Sequence, residues 1–479
     1  MGVGSRKYGV GDHEQVMRNG EYGVGPSQLL SLHSRLSPSN TLLLALPLLF
    51  TAISFALLSL AEEGRLVPGR FIPVGVLALC LGASAWALDR WRPGYDRLLL
   101  PLVGMLSGLG LAEVARLAPH LSIDGGVGGA GLVPHLSIDG GVGGAGLFLI
   151  RQMIWLGLGT LALLVVALVP RNLRWLRRYR YTWLFAGLAL LATTLVVGVN
   201  PSGSGARLWL GAGSIYFQPS ELLKLLLLVF LASYLEDRRD ALLEVEAQIG
   251  RWQLPHPAYL GPMLLMWGFS MLLLIWQRDL GAALLFFGVF LAMLYAATGQ
   301  GRYVLTGLAL LIVATIVGYR LFDHVALRVD AWWNPWEDAS GRSFQIVQSL
   351  LAFASGGVLG QGLGQGLPTA IPVVHTDFVF AAIGEEYGLM GASAVIMCFA
   401  FLVSRAFHIA LKARRPFDQL LAAGIGSLFG LQSLVIMAGT LKLIPLTGVT
   451  LPFVSYGGSS LLTSMIMVGL LLHISGHRR

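Results

Sequence analysis

Long apolar runs, each about the length needed to cross a bilayer, recur along this chain between shorter polar connections. Twelve are read, over residues 41–60, 71–89, 98–117, 147–169, 181–199, 218–236, 258–276, 280–298, 303–320, 378–403, 418–440 and 453–474. A hydrocarbon core about 30 Å thick takes roughly 20 residues of helix. A helix also satisfies its own backbone donors and acceptors where there is no water to do so. The pattern therefore predicts an all-α polytopic membrane protein with about twelve transmembrane helices. Residues 1–40 are polar and lack helical periodicity, which reads as a flexible tail. They contain no signal-peptide h-region, so the first span is expected to stay as an anchor.

Composition narrows the class further. Of the 479 residues 55% are hydrophobic and 12% charged, against about 25% charged in soluble domains. A soluble enzyme, a disordered scaffold and a disulfide-stapled secreted module are excluded. Cys80 and Cys398 both lie inside apolar runs, so neither a disulfide framework nor a thiolate metal site is implied. The net charge of +8 is dispersed and does not point to nucleic acid. It is read instead as orientation: with the N-terminus inside, 22 of the 33 Lys and Arg fall in cytoplasmic segments, 10 in external ones, and Lys224 within a span. Both termini are expected in the cytoplasm, residues 476–479 forming a short tail, and the long segment 321–377 is expected outside.

Two external segments differ in kind. Between spans three and four, residues 119–132 read PHLSIDGGVGGAGL and residues 134–147 repeat them. Two copies are too few for a stacked repeat, and glycine at this density resists regular structure, so the duplication reads as dispensable loop. Its His120 and His135 could hold a metal only if that freedom were frozen. Segment 321–377 is longer than connections in compact folds usually are, which marks it as functional. It carries Trp332, Trp333 and Trp336, suited to a membrane interface. An apolar stretch over 346–354 follows, expected as a short re-entrant or interfacial helix, and then six glycines from Gly356 to Gly366, interleaved with Gln361 and Gln365.

Ionisable groups near membrane depth are costly and so are candidates for function. Asp377, in His375–Thr376–Asp377–Phe378, stands where span ten begins. It can cap that helix, or serve as a general base whose pKa partial burial can raise. Glu385 and Glu386 lie about 80° and 180° around a helix from Asp377, so they cannot both face the same site. Glu221 and Lys224 share one helix face and can pair, unless Lys224 meets an anionic substrate. Arg207 with Trp209, Arg278, Arg328, Arg342 and Lys442 put one or a few cations in each of these external loops. That distribution suits a phosphate-bearing ligand, and equally suits interface anchoring. No Walker loop, HExxH or G-x-S-x-G elbow is present.

Read in order, Gln218–Pro219–Ser220–Glu221, Asn334–Pro335–Trp336–Glu337–Asp338, Ser343–Phe344–Gln345, the glycine run, His375–Thr376–Asp377–Phe378 with Gly384–Glu385–Glu386, and the final LPFVSYGGSS over 451–460 resemble the SEDS family (shape, elongation, division and sporulation), which includes FtsW and RodA. The likeness covers residues 98–475 as a ten-helix membrane domain and leaves 41–97 as two extra N-terminal spans.

The resemblance implies a peptidoglycan glycosyltransferase of the bacterial plasma (inner) membrane with its site facing outside. It would polymerise lipid II, an undecaprenyl-pyrophosphate disaccharide-peptide. Implied partners are a class B penicillin-binding protein transpeptidase and other membrane proteins of the division or elongation machinery. Asp377 takes the place of the family's catalytic carboxylate. Trp209 matches the ring of a G-A-x-x-W turn, where Leu208 occupies the usual arginine position and Arg207 lies one earlier. Arg278 replaces the proline of a Gln-Pro-Asp turn, and Lys442 stands where relatives often have glycine. With Lys224, Glu221, Arg328, His375, Glu385 and Ser459, these are the expected substrate-binding residues. The chemistry needs one base and several cations; a divalent ion, Mg or Mn, could share in it, and no other cofactor is implied. A lipid-linked-sugar flippase and a non-catalytic scaffold of the same machinery are the alternatives.

Overall fold

The computed structural model of the protein describes residues 2, 40–118, 145–170, 172–200, 207–212, 215–243, 247–249, 252–254 and 257–476. Residues 44–479 form one compact unit and residues 1–43 another. The expected tail, apart from residues 2 and 40, lies outside the described residues, as do residues 119–144 with most of the duplicated loop.

The apolar runs fold as helices: α1 (Asn40–Glu63), α2 (Ile72–Trp91), α3 (Leu99–Leu117), α4 (Ala145–Leu168), a short α5 (Arg174–Arg178), α6 (Arg180–Val197), α7 (Pro219–Leu243), α8 (Pro257–Trp276), α9 (Leu280–Thr298) and α10 (Gly301–Leu321). After them come α11 (Asp323–Trp333), α12 (Phe344–Gly356), α13 (Val379–Glu386), α14 (Gly388–Lys412), α15 (Pro416–Thr440) and α16 (Gly458–Ser475). Two small antiparallel hairpins complete the architecture. Strands β1 (Leu210–Ala212) and β2 (Ile215–Phe217) precede α7, and β3 (Ala247–Ile249) and β4 (Trp252–Leu254) follow it.

Among the described residues ten helices are long and apolar enough to cross a membrane. Helices α7 and α8 stand where spans six and seven are expected but are not among the ten. Helix α7 carries Glu221 and Lys224 in its first turns and Glu236 and Asp237 further on. The expected span at 378–403 also differs, because the chain breaks there into α13 and α14. Gly388 opens α14 at φ +66, and a Cβ on it would lie 2.3 Å from the backbone nitrogen of Gly360. The glycine-rich segment thus passes against this break at backbone distance, which no larger residue at 388 would permit. Within 321–377 the structure adds α11, which the apolar pattern does not reveal.

Helix α7 packs against α6, α8, α9, α15 and α16. Its Leu223, Leu227, Leu228, Phe230, Leu231 and Leu235 are each at most 2% exposed. By contrast α10 buries only Gly307 and Gly318. An apolar helical stretch faces either a core or lipid, and the middle of α7 and the length of α10 show the two cases. In water, burying a leucine would be worth roughly 1.5–3 kcal/mol. In lipid the unburied state is already apolar, so α7 is held by close packing and polar contacts rather than by hydrophobic transfer. The start of α9 illustrates such packing: a Cβ on Gly281 would come within 2.4 Å of the Thr447 carbonyl oxygen, so the loop before α16 rests directly on this turn.

Candidate active site

Asp377 ends a tight turn. The amides of Thr376 and Asp377 donate to the Val373 carbonyl at 3.2 and 3.4 Å, with Val373 at φ 57. The loop before α16 clamps this turn from outside. Ser455 Oγ donates to the Thr376 carbonyl at 2.6 Å, and the Tyr456 amide to the His375 carbonyl at 2.9 Å. The N-cap of α13 is Phe378, with no side-chain capping bond. The Asp377 carboxylate therefore does not cap the helix it precedes.

That carboxylate is half-buried beside Gly448, where a Cβ would stand 3.5 Å from Oδ2. Burial pushes its pKa up to about 6, against the opposing pull of the Thr376 hydroxyl and of Arg328. Arg328, on α11, lies in the field of both Asp279 and Asp377, while burial lowers its own pKa. Its Nη1 donates to the carbonyls of Leu446 and Thr447 at 3.5 and 3.3 Å. Asp279 caps α9, its Oδ1 accepting from the Ala282 amide at 3.1 Å. Its pKa is raised by burial, with Lys224 pulling it down and Glu221 pushing it up. Lys224 Nζ pairs with Glu221 Oε2 at 2.7 Å and donates to Gln432 Oε1 at 3.2 Å. Gln432 in turn donates to the Thr450 carbonyl at 2.8 Å. One polar centre thus draws on α7, the α8–α9 turn, α11, the Asp377 turn, α15 and the 446–450 loop.

The other candidates are placed differently. Arg278 is exposed, at φ 62, beside His324, and it is its neighbour Asp279 that enters the centre. His375 packs between Phe148 and Tyr456, and burial lowers its pKa to about 4, so it is neutral at pH 7. Ser459 Oγ accepts from the Gln218 amide at 3.0 Å and so fixes the entry to α7. Arg207 is exposed, and Trp209 pairs through its backbone with Val199. The Lys442 carbonyl accepts from Trp332 Nε1 at 3.1 Å. Glu385 Oε1 accepts from the Leu367 amide at 2.9 Å, and Glu386 pairs with Arg116, both away from Asp377. Two members of the centre, Asp279 and Gln432, escaped the sequence reading. Gln432 is a lone glutamine inside an apolar run, which is itself the kind of signal that marks intramembrane function.

Among the described residues no three His, Cys, Asp or Glu side chains converge as a metal set. Asp279 and Asp377 both lie in the field of Arg328, whose Nη1 is turned to the Leu446 and Thr447 carbonyls.

Fold and site together define a polytopic helical membrane protein with one unpaired carboxylate, Asp377, in a polar centre of mixed charge. The family profile FtsW/RodA/SpoVE, described as "Cell cycle protein", matches residues 137–479, and the chain belongs to this family. It is 38% identical over 432 residues to peptidoglycan glycosyltransferase RodA of Mycobacterium tuberculosis, covering 89% of this chain and 88% of that one. It is 40% identical over 335 residues to the probable peptidoglycan glycosyltransferase FtsW of Geobacter sulfurreducens, covering 68% and 85%. Among solved structures it resembles a chain from work on a peptidoglycan synthase complex that coordinates polymerization and crosslinking. There the TM-score is 0.62 at 31% identity, covering 80% of this chain and 98% of that one. The crystal structure of Thermus thermophilus RodA gives a TM-score of 0.54 at 28% identity, covering 80% and 97%.

Proposed function

We propose that this chain is a peptidoglycan glycosyltransferase that polymerises lipid II, with Asp377 as the general base. The observation that carries the assignment is the state of Asp377: half-buried, free of capping duty, with a pKa near 6 and in the field of one cation, Arg328. At pH 7 a group with that pKa is mostly ionised yet more basic than an ordinary carboxylate, which is what proton abstraction asks of it. It takes the proton of the acceptor sugar hydroxyl as that oxygen attacks the donor anomeric carbon with inversion. The departing lipid pyrophosphate needs its charge matched rather than an acid, a role suited to Arg328 and Lys224. A single carboxylate is enough, unlike the carboxylate pair of glycoside hydrolases.

The site opens to the outside of the plasma membrane and both termini lie in the cytoplasm, a reading supported by the distribution of Lys and Arg. A class B penicillin-binding protein is the transpeptidase partner, supported by the likeness to a chain of a peptidoglycan synthase complex; other division or elongation membrane proteins join them. The test is glycan-chain formation from purified lipid II by the purified full-length protein, with and without the transpeptidase. Polymer from the wild type and none from Asp377→Asn supports the assignment. Polymer from both removes Asp377 from the mechanism.

A further inference from the structure

The far end of α13 from Asp377 carries a second charged cluster, to which the reaction assigns no role. Glu386, the last residue of α13, has a fully buried side chain and pairs with Arg116 of α3, Oε1 to Nε at 3.0 Å. Arg116 also donates from Nη2 to the Gly366 carbonyl at 3.1 Å. One turn earlier on α3, Glu113 is 0% exposed, and neither of its carboxylate oxygens has a hydrogen-bond partner. Oε2 of Glu386 is likewise unpartnered. Glu113 lies in the electrostatic field of Glu386 and Arg116, and Tyr387 in that of both carboxylates. Glu385, the Gly364 amide that donates to Glu386 and, from α1, Ser54 also face this cluster.

Charge counting limits what this cluster can be. One guanidinium neutralises one carboxylate. A second ionised carboxylate in the same buried space, with no hydrogen bond made to it, is costly enough that it takes up a proton instead, even with the buried Tyr387 hydroxyl nearby. A protonated carboxyl has one O–H to donate, and the orphaned Oε2 of Glu386 is an acceptor in its field. A single proton on Glu113 thereby relieves the charge conflict between the two carboxylates.

We propose that Glu113, Arg116 and Glu386 form a one-proton latch, with Glu113 neutral and Glu386 ionised on Arg116, that positions Asp377 by fixing the opposite end of α13. The mechanical link is short: α13 has eight residues, all buried, so it spans about 12 Å. The glycine-rich segment is tied to the same end. The Gln361 and Gly362 amides donate to the carbonyls of Glu385 and Glu386 at 2.9 and 3.0 Å. Ala61 of α1 closes over this segment, 3.2 Å from where a Cβ on Gly364 would lie. A shift at Glu386 therefore passes along a buried rod to the turn that holds the base. Arg116, Glu113 and Glu386 are positioning residues and touch no substrate.

The positioning role rests on Asp377 being the base, whereas the proton does not, so the test has two arms on the full-length protein in nanodiscs. Infrared difference spectra at pH 7 should show a protonated-carboxyl C=O band that Glu113→Gln removes. If that band is absent, or survives in Glu113→Gln, the latch is overturned whatever the activity. In lipid II polymerisation, Arg116→Lys and Glu386→Gln should lower kcat about tenfold or more with KM within about twofold, since small misplacements of a reacting group have such effects. Glu113→Gln, a neutral isostere, should stay within about threefold of wild type. Unchanged kcat in both Arg116→Lys and Glu386→Gln, at normal melting temperature, removes the positioning role. A tenfold loss in Glu113→Gln removes the neutral assignment. A wild type that makes no polymer counts against the enzymatic reading, and the infrared arm still decides the proton.

Discussion

The two ends of α13 use the same chemical parts to opposite effect. At one end Glu386 meets a guanidinium at 3.0 Å and is consumed by that pairing. At the other, Asp377 feels Arg328, but among the described residues no ion pair joins them, because Arg328 is turned to the carbonyls of Leu446 and Thr447. Burial raises the pKa of both carboxyls, but the Glu386 charge is bonded to a guanidinium within the fold, which fixes that side chain in place. A carboxylate that is half-buried and only loosely matched keeps a raised pKa and remains able to take up a proton. Partner distance, not residue type, separates the structural acid from the reactive one.

The largest effect should come from removing the reactive one. Asp377→Asn should lower polymerisation by about a hundredfold or more, read from glycan product at equal protein level. The same substitution should stabilise the fold. The folded pKa of about 6 lies above the ordinary value of 3.8, so the ionised group carries a penalty that is fully present above pH 6 and gone below about pH 4. Melting measurements at pH 7 should therefore show Asp377→Asn more stable, on the order of 1–3 kcal/mol, with the difference vanishing near pH 4. A mutant destabilised at pH 7 would place Asp377 among the structural acids with Glu386.

Next in size is Lys224→Met, which should weaken lipid II binding about tenfold if this cation meets the pyrophosphate. Titration of labelled lipid II reads it directly, and unchanged binding leaves Lys224 as the buried partner of Glu221. Arg328→Gln sharpens the comparison through pH. Wild-type activity should fall as pH drops through about 6, where Asp377 becomes protonated. Arg328 pulls that pKa down, so its loss should move the acidic limb of the pH–rate profile upward; a limb that stays put would mean the two groups are uncoupled. The smallest effect is expected from deleting one copy of the 15-residue duplication, which should leave the polymerisation rate within about twofold, because glycine at this density disfavours the regular packed backbone that a deletion would cost.

Much of this was legible along the chain. Most of the long helices fall where apolar runs predict them, because the 20-residue length criterion is imposed by the bilayer and needs no knowledge of neighbours; the break of the expected span 378–403 at Gly388 is the exception. Asp377 stood out because an ionisable residue at a span boundary is conspicuous on its own. Its lack of capping duty could not be read, since Asp at a helix start is the usual cap, and here the N-cap falls one residue later at Phe378. At 278–279 attention fell on the arginine, whereas the left-handed backbone at Arg278 leaves that side chain exposed and it is Asp279 that enters the centre.

The sequence by itself determined a membrane-spanning helical chain, its approximate spans, its family motifs and the types of group available for chemistry. These are properties of composition and short-range spacing. Only the tertiary structure decided which helix is enclosed and which meets lipid, as α7 and α10 do with similarly apolar stretches. It also decided which carboxylate is paired, through contacts such as Arg116 with Glu386, 270 residues apart. Apolar length is measured against the solvent and can be read locally, whereas charge compensation depends on distances of a few ångströms between segments that only folding brings together.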